Sequence, residues 1–258
     1  MPERIVITGA KSGLGRFLHE NLGGLGVTRS TVDADMQRLQ LFGADVIIHC
    51  AFNRSRDASA SSMYGYVNDN VLLTAALAAV PHEKFIYLSS IEVYPKNGAL
   101  HSETEPIGMD AVNGLYGAAK LMSEAVVAQL SSNHLILRAA GLLGGYSRRN
   151  TVIRLLEDDE PDLTLSPDSS INCVLYEDAL RFINEAIKKD AQGVFNLASS
   201  ANATVGEIAA FLGKRPRYGS WRYDAGRIDN LKATAITSGF QHTSMDALSR
   251  FVSEAAIR

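Results

Sequence analysis

An apolar run, Arg4–Thr8, passes directly into Gly9-Ala-Lys-Ser-Gly13-Leu-Gly15 and then into a helical pattern carried by Leu14, Phe17, Leu18 and Leu22. No other feature constrains the chain as strongly. Glycines let the backbone turn sharply after a strand and bring a helix N-terminus, with its unpaired N–H groups, up to an anion. The spacing G-x-x-x-G-x-G is a variant of the dinucleotide fingerprint. A glycine turn alone is weak evidence; its place between a first strand and a first helix strengthens it. Gly9, Lys11, Ser12, Gly13, Leu14 and Gly15 are therefore the expected cofactor loop.

Further apolar runs follow at Asp45–Cys50, Lys84–Ser89, His134–Ala139 and Gly193–Ala198. Such continuous runs suit strands buried on both faces of a parallel sheet. Helical stretches lie between them, at Val71–Val80 and Asn113–Leu130. The alternation predicts an α/β fold, a doubly wound parallel sheet of the Rossmann type with a small C-terminal substrate lobe. The expected division is residues 1–150 plus about 171–199 for the nucleotide-binding part, and about 151–170 plus 200–258 for the lobe. In the lobe, Thr151–Glu157 and Thr243–Ile257 read as helices, and Thr204-x-x-Glu207 is a capping box opening a helix that Gly213 ends. The acidic run Glu157–Glu160 reads as solvated surface.

Composition excludes several classes. The chain has 258 residues, 46% hydrophobic and 21% charged, with 25 basic and 28 acidic residues for a net charge of −3. That is a globular composition, too acidic to coat nucleic acid. No stretch approaches the roughly 18 apolar residues of a membrane span, and MPERIVITGA enters a strand without a signal-peptide layout. Cys50 and Cys173 both sit in apolar runs and are expected to be reduced core residues, so the expected location is cytoplasmic. The six histidines show no metal spacing, and His49 lies in a strand as a packed residue; no metal is expected.

The second strand should end near Gly26–Arg29, where NAD binders place an acid for the ribose 2′-hydroxyl and an Arg accepts a 2′-phosphate. Here no acid comes before Asp33, whereas Arg29 stands at the strand end and Lys11 in the glycine loop. NADP(H) is favoured and NAD(H) remains open, with Asp33 the group that would meet the ribose or adenine in the second case.

Tyr116 and Lys120 stand four residues apart on a helix, hence on one face. A nearby ammonium stabilises phenolate and brings a tyrosine toward use as a general acid or base. The strand Lys84–Ser89 runs into Ser90, whose hydroxyl is placed to hold a substrate oxygen against the phenol.

Taken together, these motifs resemble the extended short-chain dehydrogenase/reductases, the NAD(P)-dependent sugar-nucleotide epimerase/dehydratase family, along almost the whole chain. The resemblance rests on Thr8-Gly9…Gly13…Gly15, Asp45-Val-Ile-Ile-His-Cys-Ala51, Asn70-Val71 and Tyr87-Leu-Ser-Ser90-Ile-Glu-Val-Tyr94. It continues through Tyr116…Lys120, Leu137-Arg138, Val174-Leu-Tyr-Glu-Asp178, Val194-Phe-Asn-Leu-Ala198, Asn230-Leu-Lys232 and Gly239-Phe240. It implies Tyr116 as general acid/base, Lys120 tuning it and binding the nicotinamide ribose, Ser90 orienting the substrate oxygen, Ala51 in the cofactor site, and Asn70 as a structural or relay position. An ordinary helix residue is the alternative for Asn70. Dehydratases of the family carry Asp-Glu where this chain reads Ile91-Glu92, so dehydration is not expected; Glu92 is either a substrate contact or a solvated acid. The glycine spacing, Lys11 and the short C-terminal portion resemble the family's NADPH-dependent ketoreductases.

The family binds a nucleoside-diphosphate sugar with an arginine whose place is taken here by Ile171. A substitute is available between Gly213 and Arg227, where Lys214, Arg215, Arg217, Arg222 and Arg227 interleave with Tyr218, Trp221 and Tyr223. Arg217 and Trp221 are the substrate candidates there, with Arg148, Arg149 and Arg154 as secondary ones; a solvated loop with one packed Trp is the plain alternative. The expected function is an NADP(H)-dependent reductase of a nucleotide-linked 4-keto-6-deoxy sugar. An NAD-dependent sugar-nucleotide epimerase, a reductase of a non-sugar carbonyl, and a non-catalytic NADP-sensing protein are the rivals. A small molecule is the expected partner, with no nucleic acid or membrane, and a homodimer is compatible with the family pattern.

Overall fold

The structure is a computed structural model that describes residues 2–55 and 59–256. Its centre is a six-stranded sheet, five strands of which come from the predicted apolar runs. In chain order the strands are β1 (Ile5–Thr8), β2 (Leu25–Val27), β3 (Ala44–His49), β4 (His82–Ser90), β5 (His134–Ala139) and β6 (Gly193–Leu197). Across the sheet they lie in the order β6-β5-β4-β3-β1-β2. β1 pairs in parallel with both β2 and β3, and β3 with β4, with Val6 opposite Ile47 and Ile47 opposite Phe85. The chain therefore leaves β1 in one direction and returns to its other side at β3. Such a reversal opens a crevice at the carboxyl ends of the two strands, after Thr8 and His49.

Helices cover the sheet: α1 (Gly13–Leu22), α2 (Val32–Phe42), α3 (Ala60–Val67), α4 (Leu73–Ala78) and α5 (Gly114–Leu130). Val6, Val27, Leu39, Ile47, Leu77, Phe85, Val127 and Ile136 form one buried cluster in this unit. Each such side chain contributes about 1.5–3 kcal/mol by leaving water. β2 ends at Val27, inside the expected Gly26–Arg29, where Thr28–Thr31 closes a turn in which the Thr31 N–H donates to the Thr28 carbonyl. The helix predicted at Val71–Val80 starts earlier, at Ala60, and contains a π-helical turn at Asn68–Leu72.

The chain divides into two compact units. The first comprises Met1–Pro95, Thr104–Arg138 and Asn184–Phe195; the second comprises Lys96–Glu103, Ala139–Ile183 and Asn196–Arg258. Residues 96–103, 139–150, 171–183 and 196–199, expected with the nucleotide-binding part, cluster with the second unit, within which Gly141–Leu143 pairs in parallel with Cys173–Leu175. Leu143, Cys173 and Leu175 join Leu155, Leu163, Val205, Ile208 and Leu248 in that unit's own core. Its helices are α6 (Thr151–Glu157), residues 176–183 of α7 (Tyr176–Lys188), α8 (Val205–Phe211), α9 (Leu231–Thr234) and α10 (Ser244–Ala256); Ile257, included in the expected last helix, lies outside the described residues. The capping box is present in both directions, with the Glu207 N–H donating to Thr204 Oγ1 and the Thr204 N–H to Glu207 Oε2. Among the described residues no helix is long and apolar enough to cross a membrane.

Candidate active site

At the head of β1 the glycines do two different jobs. Gly9 has φ +72°, and a Cβ there would stand 3.0 Å from the Ala51 nitrogen, so only glycine lets the turn pass against the end of β3. Gly15 is helical, but a Cβ on it would stand 2.6 Å from the Gly9 carbonyl oxygen. The first turn of α1 can thus rest on the end of β1. Ser12, Gly13, Leu14 and Gly15 lie in that first turn, which contains no acid, and its N–H groups have no partner inside the helix. This geometry and polarity fit a pyrophosphate. Lys11 reaches over to Ser30 Oγ at 3.1 Å, joining the glycine loop to the turn after β2. Arg29, on the same turn, is exposed and pairs with Asp69 at 2.9 Å. Asp33 is exposed in the first turn of α2.

A chain of hydrogen bonds ties β1 to β3. Thr8 Oγ1 accepts from the N–H groups of Cys50 and Ala51, both at 3.1 Å, so its own hydrogen faces His49 Nδ1 at 2.6 Å. The ring hydrogen is then on Nε2, which donates to Thr74 Oγ1 at 2.9 Å, and the Thr74 hydroxyl donates to the Asn70 carbonyl. Burial pushes the His49 pKa down to about 3, with the Lys120 charge a smaller cause, and keeps the ring neutral. His49 is a structural relay in the core. Burial also pushes the thiols of Cys50 and Cys173 up to about 12, and both are free.

Asn70 sits inside the π-helical turn and is buried. An inserted residue in a helix swings its neighbours off the regular face, and here the Asn70 amide meets the loop after β3. Asn53 N–H donates to Asn70 Oδ1 at 2.7 Å, and Asn70 Nδ2 donates to the Asn53 carbonyl at 3.0 Å. Asn53 Nδ2 also donates to Asp69. The loop held this way carries Phe52 and Arg54.

Side chains alternate across a strand, and this separates the two serines at the end of β4. Ser89 donates to buried Glu124, which accepts a forked pair from buried Arg138, with Nη2 to Oε2 at 2.7 Å. Arg138 Nη1 donates to the Tyr94 hydroxyl at 2.9 Å. Ser90 instead faces Tyr116 and caps the turn Ile91–Val93 by accepting from the Glu92 N–H at 3.2 Å. Gly117, next to Tyr116, lets α5 lie against this turn, because a Cβ on it would collide with the Glu92 carbonyl oxygen.

Burial raises the Tyr116 pKa above its ordinary value. The Arg54 charge and hydrogen bonding from Ser90 and Arg54 oppose the rise, and the Glu92 carboxylate adds to it. The Arg54 guanidinium carbon lies 6.0 Å from the centre of the Tyr116 ring, and Phe52 meets that ring edge-on at 5.1 Å. Lys120 shares the helix face as predicted, yet its ammonium turns inward. It donates to the Leu88 carbonyl and lies 4.2 Å from the Phe52 ring centre and 4.7 Å from that of Tyr87. Burial pulls its pKa down to about 7. Phe52, Arg54, Gly117 and Glu124 were not among the predicted site residues. The first two follow β3 at the switch point of the sheet, which is the signal that would have pointed to them.

The other predicted substrate residues belong to the second unit. Arg217 forks onto Asp162, with Nε to Oδ1 at 2.6 Å and Nη2 to Oδ2 at 2.9 Å. Lys214 pairs with Asp159 and Arg222 with Asp168. The basic segment runs parallel to the acidic one, with bridges at Asp162–Arg217, Leu165–Trp221 and Ser170–Asp224. Trp221 is 60% exposed and meets Tyr223 edge-on at 6.4 Å. Arg148 is exposed beside Arg149, which pairs with Glu157. Ile171 packs against the second unit's core. Among the described residues no three His, Cys, Asp or Glu side chains gather to hold a metal ion.

A six-stranded sheet reversing at β1, a glycine turn there, and Ser90 facing Tyr116 on the helix that also bears Lys120 define a protein of the extended short-chain dehydrogenase/reductase class. The family model described as the RmlD substrate binding domain matches residues 3–237, and the chain belongs to that family. No curated protein matches it. Among solved structures, the dTDP-4-dehydrorhamnose reductase of Bacillus anthracis in complex with NADP is similar with a TM-score of 0.79 at 20% identity, covering 98% of this chain and 100% of that one. The enzyme of the same name from Yersinia enterocolitica is similar with a TM-score of 0.78 at 22% identity, covering 97% and 98%. A variant of the UDP-glucuronic acid 4-epimerase of Bacillus cereus, with UDP-4-deoxy-4-fluoro-glucuronic acid and NAD, has a TM-score of 0.78 at 19% identity, covering 95% and 96%. At these identities the likeness concerns the fold.

Proposed function

We propose that this protein is an NADP(H)-dependent reductase of a nucleotide-linked 4-keto-6-deoxy sugar, with Tyr116 as general acid. The observation that carries the reading is the Tyr116 phenol facing the Ser90 hydroxyl beside a glycine turn that fits a pyrophosphate. When bound, the nicotinamide supplies hydride. Gly9, Gly13 and Gly15 shape the turn, and the N–H groups of Ser12 to Gly15 and the α1 dipole hold the pyrophosphate. Lys11 and Arg29 meet the 2′-phosphate, which requires Arg29 to leave or share Asp69. Ser90 holds the substrate carbonyl oxygen while Tyr116 gives it a proton. Lys120 donates to the nicotinamide ribose, and Phe52 and Leu88 fix where its ammonium lies.

The absence of an acid at 91 supports reduction over dehydration. The similar reductase with NADP and the similar epimerase with NAD support the family's chemistry without separating these two activities. Titration of the purified protein with NADPH and NADH separates them. Exchangeable cofactor with at least about a tenfold preference for NADPH, the value of one charge-assisted contact, supports the reductase. Stoichiometric NAD retained through purification would make the epimerase the better reading. The chemistry needs only a small-molecule substrate, and the two free cysteines suit a cytoplasmic location.

A further inference from the structure

Lys120, the cation that spacing assigns to the Tyr116 phenol, spends its charge elsewhere, on the Leu88 carbonyl and on the faces of Phe52 and Tyr87. The cation over the phenol ring comes from a different element. Arg54 stands in the loop after β3 with its guanidinium carbon 6.0 Å from the Tyr116 ring centre. Its backbone is fixed on both sides. Asn53 is clamped by Asn70 and Asp69, and Asn53 Oδ1 accepts from the Ser55 N–H at 3.0 Å, an Asx turn with Arg54 at its middle. Phe52, two residues before, lies against the same phenol. This one braced loop therefore sets both the apolar wall and the charge that Tyr116 meets.

We propose that Arg54 is the residue that stabilises the ionised form of Tyr116 during proton transfer. The proposal rests on the reductase reading for its chemical meaning. In reduction, the substrate carbonyl carbon gains hydride from a reduced nicotinamide, and its oxygen gains the Tyr116 proton. The O–H bond of Tyr116 breaks, and a phenolate remains until solvent returns a proton. A guanidinium beside that oxygen favours the phenolate. The other groups that face the phenol are Glu92 from the turn after β4, Tyr66 from α3 and Tyr87 from β4. Lys120 is one helical turn away on α5. Ser90 also faces the phenol and favours its ionised form by a hydrogen bond from a neutral hydroxyl, Glu92 opposes ionisation, and the two tyrosines are neutral, so Arg54 is the facing charge that favours it.

The test is the ionisation of Tyr116 itself, read as the ultraviolet tyrosinate difference between each protein and the same protein carrying Tyr116→Phe. Arg54→Gln is expected to raise the midpoint by about one pH unit or more, the size of a close charge's effect. Arg54→Lys, which keeps the charge and loses the fork, should retain most of the wild-type position. A midpoint unmoved in Arg54→Gln, or one that rises only in Lys120→Met, would overturn the proposal. So would a wild-type phenol that stays protonated up to alkaline unfolding. The readout needs neither substrate nor cofactor. A midpoint that moves as expected in a protein that reduces no carbonyl would therefore uphold Arg54's role and count against the reductase reading alone.

Discussion

The side-chain amide of Asn70 clasps the backbone of Asn53, accepting from its N–H at 2.7 Å and donating to its carbonyl at 3.0 Å. This contact, set up by the π-helical turn, holds Phe52 and Arg54 where they meet Tyr116. Asn70→Ala removes both bonds and should cost about 1–3 kcal/mol. The loss of order at the loop should lower turnover more than it weakens cofactor binding. Urea unfolding and steady-state kinetics on the same preparation check this. Unchanged kcat with normal stability would return Asn70 to the status of an ordinary helix residue.

Gly117→Ala tests the contact between α5 and the turn after β4. The added methyl meets the Glu92 carbonyl and the Val112 side chain, so the helix must move. Overpacking of this kind costs about 1–3 kcal/mol. A displacement near 1 Å between Ser90 and Tyr116 should lower kcat by about 100-fold. Thermal unfolding and initial rates give the two numbers separately.

Lys120→Met should stabilise the protein at neutral pH and inactivate it. Burial pulls the Lys120 pKa from 10.5 down to about 7, so the folded protein binds this proton less readily than the unfolded chain. Below pH 7 both states carry the proton and the folded state bears the full cost of burying it. Between pH 7 and 10.5 only the unfolded chain holds it, and stability rises with pH. The advantage of Lys120→Met, on the order of 1–3 kcal/mol at pH 6, should therefore shrink toward pH 10. Melting curves of both proteins across this range check the sign. An advantage that grows with pH would contradict it.

Arg138→Met should destabilise by about 3–5 kcal/mol, because it leaves the Glu124 carboxylate buried and without its guanidinium. The double variant Glu124→Leu with Arg138→Met removes both charges and should recover most of that loss. Denaturant unfolding of the two single variants and the double one closes the cycle. A double variant as unstable as the sum of the singles would show that the two residues act independently.

Much of this molecule was legible in its sequence, for identifiable reasons. β1, β3, β4, β5 and β6 are buried on both faces, and burial of that kind writes an unbroken apolar run. β2 is a three-residue edge strand, Leu25-Gly-Val27, and α2 buries only Leu39, so neither leaves a strong pattern. α7 carries one, with Ala179, Phe182, Ile183 and Ala186 at helical spacing, but it is not among the helices expected from the sequence. In the site, Ser90, Tyr116 and Lys120 came from spacing and order along the chain. Spacing places Lys120 on the face of Tyr116 but says nothing of where a flexible four-carbon stem points, and the aromatic rings of Phe52 and Tyr87 decide that. Arg54 and Phe52 come to Tyr116 through sheet topology over more than sixty residues of chain. Likewise, nothing local announces that Arg217 meets Asp162, so the basic cluster looked freer for a diphosphate than it is.

Hydride transfer itself tests the central claim most directly. The wild-type protein and Tyr116→Phe would each be mixed with NADPH and a dTDP-linked 4-keto-6-deoxy sugar. Loss of NADPH absorbance would be followed, with NADPH binding measured in parallel by fluorescence. We expect the wild type to oxidise NADPH in step with sugar reduction. Tyr116→Phe should bind NADPH as well and turn over about 100- to 10,000-fold more slowly, the usual contribution of a general acid. Equal rates in the two proteins, or bound NADPH that the wild type never oxidises, would contradict the account.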